Sequence, residues 1–166
     1  PLDRVAEYMA ERVGRSTSDV AQILVDDIEE LMASREIPWM PGAAELHEQL
    51  IAAGVAQALV SNSWRELMDS VLERLDTVFD VVIAGDEVAR PKPDPMPYVT
   101  ACRLLGVSTS QTVVLEDSPT GVRSALAAGC AVVGVPQDSE LPEHPRLTVV
   151  DSLASVDVQM LRSLVA

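Results

Sequence analysis

The stretch Val113-Val114-Leu115-Glu116-Asp117-Ser118-Pro119-Thr120-Gly121 decides the fold. It is an apolar run that ends in two adjacent carboxylates and is followed at once by Pro119, a residue favoured in the first turn of a helix. A strand that passes through a short turn into a helix is the repeating unit of parallel α/β sheets. Such sheets bind ligands beyond the carboxyl ends of their strands. The acidic pair is therefore expected at a ligand-binding edge.

The same alternation of strand and helix continues on both sides of this stretch. Strands are predicted at 55–61, 79–84, 112–116, 130–135 and about 147–150, and helices at 42–53, 64–75, 96–105, 119–128 and near the carboxyl end. Several of these helices are followed by glycine, the residue that most often ends a helix. The predicted fold class is α/β, with a Rossmann-like parallel sheet in three layers, α/β/α.

Residues 1–37 have a different pattern, because their apolar residues recur only with the helical period. Gly14 interrupts the pattern, and the residues from Ser16 to Asp19 offer N-caps for a second helix. Two amphipathic helices joined by a short turn form a hairpin that must pack on another surface. We therefore predict a helical hairpin at 1–37 and an α/β core at 38–166.

Composition narrows the possible partners. The net charge of −14 argues against binding a nucleic-acid backbone, which needs clustered positive charge. A small phosphorylated substrate remains possible, because one local cation can outweigh a diffuse negative surface. No apolar run approaches the ~20 residues of a membrane helix, and no signal-peptide pattern is present. We expect a cytoplasmic monomer without a membrane partner, whose Cys102 and Cys130 are reduced core thiols.

Lys92 is the only lysine in the chain and lies in the proline-rich loop Arg90-Pro91-Lys92-Pro93-Asp94-Pro95. Lysine is a compact point charge, unlike the planar guanidinium of arginine. A fixed ammonium near a carboxylate pair suggests a site for a phosphate and a hard cation. A lone lysine on the surface is an equally open interpretation, since lysine is mostly exposed.

Two further polar groups follow predicted strands. Ser61-Asn62-Ser63 precedes a helix, where a hydroxyl and backbone N–H groups can bind an anion; alternatively, one of these residues only caps that helix. Glu116 and Asp117 end another strand, where two carboxylates are costly unless a cation neutralises them. Oxygen ligands of this kind suit Mg²⁺. The alternative is that Asp117 or Ser118 caps the helix that Pro119 begins.

A hydroxyl, a lysine and an acidic pair at successive strand ends, in that order, resemble the motifs of the haloacid-dehalogenase-like (HAD) superfamily. The resemblance extends from about residue 40 to 150, and it is closest to the phosphatase and β-phosphoglucomutase-like group with a helical cap. It implies that residues 1–37 are a small, partial helical cap, the rear half of the cap in that group, and that residues 38–166 are the HAD-like α/β core. Three segments carry it: Leu59-Val60-Ser61-Asn62-Ser63, Lys92-Pro93-Asp94-Pro95 and Val114-Leu115-Glu116-Asp117-Ser118-Pro119-Thr120-Gly121.

This resemblance implies a Mg²⁺-dependent phosphatase that acts on a small phosphorylated metabolite through an aspartyl-phosphate. Asp117, with Glu116, would bind Mg²⁺ directly or through water. Lys92 would neutralise charge on the phosphoryl oxygens, and Ser61 and the Asn62 N–H would hydrogen-bond the phosphate. A β-phosphoglucomutase-like sugar-phosphate mutase and a non-catalytic binding module on the same fold are the alternatives.

The first motif of the family, Asp-x-Asp after the first strand, supplies the nucleophile, and this chain contains no Asp-x-Asp. By resemblance, the absent piece is the central strand of the sheet, its catalytic loop and the front of the cap. We therefore expect these 166 residues to be an N-terminally incomplete copy, lacking its first strand and inactive alone. The other explanation is a gene product that begins here and is inert.

Overall fold

A computed structural model describes residues 2–33, 37–137 and 139–165. Its helices are α1 Leu2–Val13, α2 Thr17–Ala33, α3 Ala43–Ala52, α4 Arg65–Leu75, α5 Met96–Leu105, α6 Pro119–Ala128 and α7 Val158–Ser163. Its strands are β1 Ala58–Val60, β2 Val81–Ile83, β3 Val113–Glu116, β4 Ala131–Gly134 and β5 Leu147–Val149. Short 3-10 turns cover Gly85–Glu87, Thr109–Gln111 and Leu153–Ser155. Each predicted element is present, although the strands are shorter than predicted.

Side chains of β4 point alternately to the two faces of the sheet, and each face is covered by helices, which gives the three layers. Val132 is fully buried in one cluster with residues of α5 and α6, whereas its neighbour Val133 is fully buried in another with residues of α3 and α7. Successive residues of a strand point to opposite faces of the sheet. The sheet is therefore covered by helices on both faces, as the sequence predicts.

The strands divide into two sheets, where the sequence predicted one. β1 pairs with β2, and β3, β4 and β5 form a second sheet; all pairings are parallel. Between β1 and β3 lies a mostly apolar cavity of about 470 Å³, which we call the slot. Its walls come from both strands, from α5, and from α3 and α7. Among the described residues no strand pairs with the facing edges of β1 and β3, where backbone groups need partners. The division falls where the resemblance implies an absent strand.

The helical hairpin predicted at 1–37 is formed by α1 and α2. Ala6 and Ala10 pack against Val20 and Ala21 with little exposure, and Trp64 from the core packs against this cluster. Residues 1 and 34–36 of the predicted cap lie outside the described residues, and the boundary at 37/38 remains a prediction. In the described ranges, no helix combines the length and apolar character needed to cross a membrane.

Cys102 and Cys130 are free thiols buried in the core, as predicted. Both belong to the cluster that α5 and α6 form on the sheet. Burial, and then the neighbouring Cys102, raises the pKa of Cys130 to about 12. A thiol with so high a pKa stays protonated near neutral pH and is a poor nucleophile.

Candidate active site

A pocket of about 390 Å³ lies at the carboxyl ends of β1 and β3. The five residues predicted for the site, namely Ser61, Asn62, Lys92, Glu116 and Asp117, all line it. The remaining wall comes from Met40, Val60, Leu115, Ser118, Thr120, Val135 and Leu153. Val60 and Leu115 also line the slot, so the two cavities adjoin at the ends of the two strands.

Lys92 spans the gap between the two sheets. Its Nζ donates to the carbonyl oxygen of Val60 at 2.9 Å, at the end of β1, and to Oε1 of Glu116 at 2.5 Å, at the end of β3. The Lys92 side chain is only 10% exposed, and its Nζ lies 4.9 Å from the centroid of the Tyr98 ring. The structure therefore excludes a lone lysine on the surface and places the ammonium in the pocket wall.

Glu116 is buried and surrounded by hydrogen-bond donors. Oε1 accepts from Lys92 and, at 2.5 Å, from the hydroxyl of Tyr98. Oε2 accepts from the Ser118 hydroxyl at 3.1 Å and from the Ser118 N–H at 3.4 Å. Burial raises the pKa of Glu116, but the Lys92 charge and these hydrogen bonds outweigh it, so the pKa lies below the ordinary value. Glu116 is therefore a carboxylate paired with Lys92.

Asp117 has a different environment from its neighbour. It is exposed at the pocket, and it accepts no hydrogen bond and forms no ion pair with the described residues. Ser118, and not Asp117, caps α6, because the Ser118 Oγ accepts the Gly121 N–H at 3.0 Å. The part of the chain that the structure describes contains no group of three or more His, Cys, Asp or Glu residues placed to hold a metal. Asp117 is thus a single carboxylate available to a cation.

The loop after β1 contributes Ser61 and Asn62. The Ser61 Oγ accepts the Ser63 N–H at 3.1 Å, and α4 begins only at Arg65 with Trp64 before it, so Ser61 does not cap that helix. The Asn62 side chain bonds the backbone of Lys92 twice: Nδ2 donates to the Lys92 carbonyl at 3.2 Å, and Oδ1 accepts the Lys92 N–H at 3.0 Å. This loop is thereby joined to the lysine loop.

Sequence reasoning missed two contributors to this region. Tyr98, which is 6% exposed, lies in the first turns of α5 and donates to Glu116; its position soon after the lysine loop was the available signal. Burial, and then the charge of Glu116, raises the pKa of Tyr98, so its hydroxyl remains a donor. Arg65 donates to both carboxylate oxygens of Glu87 and braces the loop after β2.

Parallel strands covered by helices, with a pocket that carries polar side chains at their carboxyl ends, define an α/β protein of the kind that binds ligands at the strand-end edge. The family model for haloacid dehalogenase-like hydrolases matches residues 2–135. This chain belongs to the haloacid dehalogenase-like hydrolases.

Three relatives illustrate the similarity. The chain is 35% identical over 80% of its length to validoxylamine A 7'-phosphate phosphatase of Streptomyces hygroscopicus subsp. limoneus. It is 33% identical over 83% of its length to hexitol phosphatase A of Escherichia coli K12. A crystal structure of a CbbY mutant from Rhodobacter sphaeroides in complex with xylulose-(1,5)bisphosphate matches 87% of this chain and 68% of its own, at 30% identity and a TM-score of 0.80. The chain spans 63% of the length of each of the two phosphatases.

Proposed function

We propose that this chain forms most of a Mg²⁺-dependent phosphatase for a small phosphorylated metabolite. The observation that carries the proposal is the placement of a nearly buried ammonium, Lys92, and a carboxylate without a partner among the described residues, Asp117, on the wall of one pocket. A carboxylate that can hold a metal ion and a positive side chain that can contact the phosphate oxygens are groups that proteins commonly place around a phosphate ester. The two relatives that are phosphatases support hydrolysis over the mutase alternative.

In this proposal Lys92, Ser61 and Asn62 each have a role in phosphate binding. Lys92 neutralises charge on the phosphoryl oxygens, and its pairing with Glu116 keeps the ammonium in place. The hydroxyl of Ser61, whose oxygen already accepts the Ser63 N–H, still has its own proton to donate to a phosphate oxygen. The backbone N–H of Asn62 is a second donor. Preorganised donors of this kind stabilise the charge that develops during phosphoryl transfer.

The donor set fits Mg²⁺. The ion commonly takes one or two carboxylates and completes its octahedron with substrate phosphate and water. Asp117 supplies one carboxylate, which has no competing partner in the part of the chain that the structure describes. The four donors to Glu116 make it the secondary ligand of the pair, acting directly or through water. When bound, Mg²⁺ would neutralise phosphate charge that otherwise repels an anionic nucleophile.

The nucleophile implied by the family is an aspartate at the end of a strand. An extended apolar segment in the slot could pair with β1 on one side and β3 on the other, and its end would reach the pocket beside Val60 and Leu115. An aspartate there would attack phosphorus and form an aspartyl-phosphate while the ester P–O bond breaks, and the leaving oxygen would take up a proton and depart as the alcohol. Water would then attack the aspartyl-phosphate, lose a proton, release inorganic phosphate and restore the carboxylate. On this proposal, the 166 residues alone show no turnover.

The test compares Lys92→Ala with Arg90→Ala in a protein that includes the slot-filling segment. Arg90 is a cation of the same loop whose side chain is 64% exposed and forms an ion pair with Asp94. The readout is Mg²⁺-dependent hydrolysis of an aryl phosphate. Loss of Lys92 should lower kcat by about 10²–10³, as loss of one transition-state donor does in other enzymes, whereas loss of Arg90 should change it little. Equal rates for Lys92→Ala and the unmodified protein would refute the proposal.

A further inference from the structure

We propose that the side chain of Asn62 is a positioning residue, which fixes the lysine loop so that the Lys92 ammonium stays in the pocket wall. The importance of this ammonium for phosphate chemistry rests on the proposed function. The positioning itself rests only on the contacts of the described residues.

Lys92 forms hydrogen bonds with residues at and just after the end of β1, both through its backbone and through the tip of its side chain. The Asn62 amide holds the backbone N–H and carbonyl of Lys92 at 3.0 and 3.2 Å, and the Lys92 Nζ reaches back to the Val60 carbonyl at 2.9 Å. The two backbone hydrogen bonds fix the position from which the Lys92 side chain starts. The third hydrogen bond fixes the position of its ammonium. Only with the origin fixed can the long lysine chain hold its charge between Val60 and Glu116.

The composition of the loop makes the Asn62 bonds difficult to replace. Lys92 stands between Pro91 and Pro93, and proline has no backbone N–H. The Lys92 N–H is therefore the only backbone donor of these three residues, and Asn62 accepts it. Asparagine supplies one acceptor and one amide donor on a short stem; aspartate lacks the donor, and alanine lacks both.

The backbone around Asn62 is held in place by contacts with β2 and the loop that follows it. Gly85 lies against the carbonyl group of Asn62, and a Cβ at residue 85 would overlap it. The Gly85 N–H donates to the Ser63 carbonyl at 2.8 Å, and the Ser61 N–H donates to Ile83 at 3.0 Å. The loops after β1 and β2 thus form a firm base from which the Asn62 side chain extends to Lys92.

The two parts of Asn62 therefore have separate tasks. The side chain uses its oxygen and its amide nitrogen on Lys92, while the backbone N–H is the group proposed to meet phosphate. A substitution of the side chain leaves that N–H in the chain. The positioning role can thus be tested without removing the proposed phosphate donor.

The first experiment needs no substitution, because Asn62 is the only asparagine and Lys92 the only lysine among the 166 residues. Selective labelling of the chain with ¹⁵N-asparagine and ¹³C,¹⁵N-lysine should give one side-chain amide pair and one ammonium signal. We expect a nuclear Overhauser effect between the Asn62 amide and Lys92, and slow exchange of the ammonium protons with water. A folded protein without this Overhauser effect would overturn the proposal.

The second experiment measures that ammonium exchange in Asn62→Ala and Asn62→Asp. Exchange should accelerate on the order of tenfold in Asn62→Ala, which loses two ordinary hydrogen bonds, and less in Asn62→Asp, which keeps the acceptor. Gln49→Ala is the matched control, because this exposed amide on α3 makes no hydrogen bond in the structure. Unchanged exchange in a folded Asn62→Ala protein would contradict the proposal, and if that variant does not fold, Asn62→Asp decides.

The outcomes separate this proposal from the proposed function. If Lys92→Ala hydrolyses phosphate esters normally while Asn62→Ala releases the ammonium, the function fails and the positioning stands. If Lys92→Ala is inactive while Asn62→Ala leaves the ammonium unchanged, the function stands and the positioning fails. In the protein with its slot filled, Asn62→Ala should lower kcat about tenfold, in the range known for residues that orient others at a site.

Discussion

Gly121 lies directly against the carboxylate of Glu116, so that a Cβ at position 121 would overlap that carboxylate. The contact follows from the turn after β3, in which Ser118 caps α6 and accepts the Gly121 N–H. The absence of a side chain at 121 therefore leaves the space that Glu116 occupies when it pairs with Lys92. The glycine is required here by close approach, not by a special backbone angle.

Gly121→Ala should therefore destabilise the protein and displace Glu116 from Lys92. Forcing extra volume into a packed site costs about 1–3 kcal/mol of unfolding free energy. Urea unfolding measures this change, and the lysine ammonium signal reports the loss of pairing. Arg123→Ala, an exposed change on the same helix, should stay within about 0.5 kcal/mol. A Gly121→Ala protein as stable as Arg123→Ala would show that the turn relaxes freely.

Tyr98→Phe removes the hydroxyl that donates to Oε1 of Glu116 and keeps the ring beneath the Lys92 ammonium. A hydrogen bond to a charged group contributes about 1.5–3 kcal/mol, and we expect a loss in this range near neutral pH. Urea unfolding at pH 7 is the measurement. The control is Tyr8→Phe, a change on an exposed tyrosine of α1. A loss no greater than that of the control would mean that the Tyr98 hydroxyl contributes nothing.

The pH dependence of that loss has a definite sign. The folded state lowers the pKa of Glu116, so its contribution to stability is complete above the ordinary glutamate value of about 4.3 and declines as pH falls through the lowered pKa. The Tyr98 hydrogen bond helps to lower this pKa. The difference between the unmodified protein and Tyr98→Phe should shrink as pH falls from 6 towards 3. A difference that is constant with pH would contradict the assignment of the bond to the ionised carboxylate.

The Arg65–Glu87 ion pair should contribute little to the free energy of unfolding, although both carboxylate oxygens accept hydrogen bonds from Arg65. The two side chains are 33% and 40% exposed, and exposed pairs typically contribute about 0.2–1 kcal/mol. The hydrogen bond from Arg65, opposed by burial, lowers the pKa of Glu87, so the contribution is present above about pH 4.3 and is lost in acid. A double-mutant cycle of Arg65→Ala and Glu87→Ala, at low and high salt, measures it. A coupling energy that salt does not reduce would indicate a buried pair.

The two thiols should differ in reactivity. Cys102 lines the slot, whereas Cys130 is fully buried and has a pKa raised to about 12. Alkylation with iodoacetamide at pH 8 should modify Cys102 first, because the thiolate is the reactive form and access is required. Peptide mass spectrometry identifies the modified residue, and Cys102→Ser should remain almost unlabelled. Faster modification of Cys130 would show that the slot gives no access.

Helices were easier to predict from the sequence than strands. The predicted limits of α5 and α6 coincide with the observed ones, because an apolar stripe and a following glycine mark a helix locally. Gly106 and Gly129 have positive φ angles at these ends. The strand predicted at 55–61 shortens to Ala58–Val60, because the extent of a strand depends on its partners, which lie far away in sequence. The division into two sheets has the same cause.

The sequence predicted which residues lie together at the candidate site. It predicted less well which groups each of them contacts. The order of motifs brought Lys92 and Glu116 to one edge, since parallel strands end on the same side. The treatment of Glu116 and Asp117 as one acidic pair concealed their separate environments. Their difference depends on Tyr98 and Ser118, contacts that appear only when α5 and α6 pack on the sheet.

The slot and the pocket share Val60 and Leu115 as a common wall, so the two cavities are not independent of each other. A strand that enters the slot would close the sheet and deliver its end to the pocket in a single event. On the proposed function, closure of the sheet and completion of the site would then depend on the same strand.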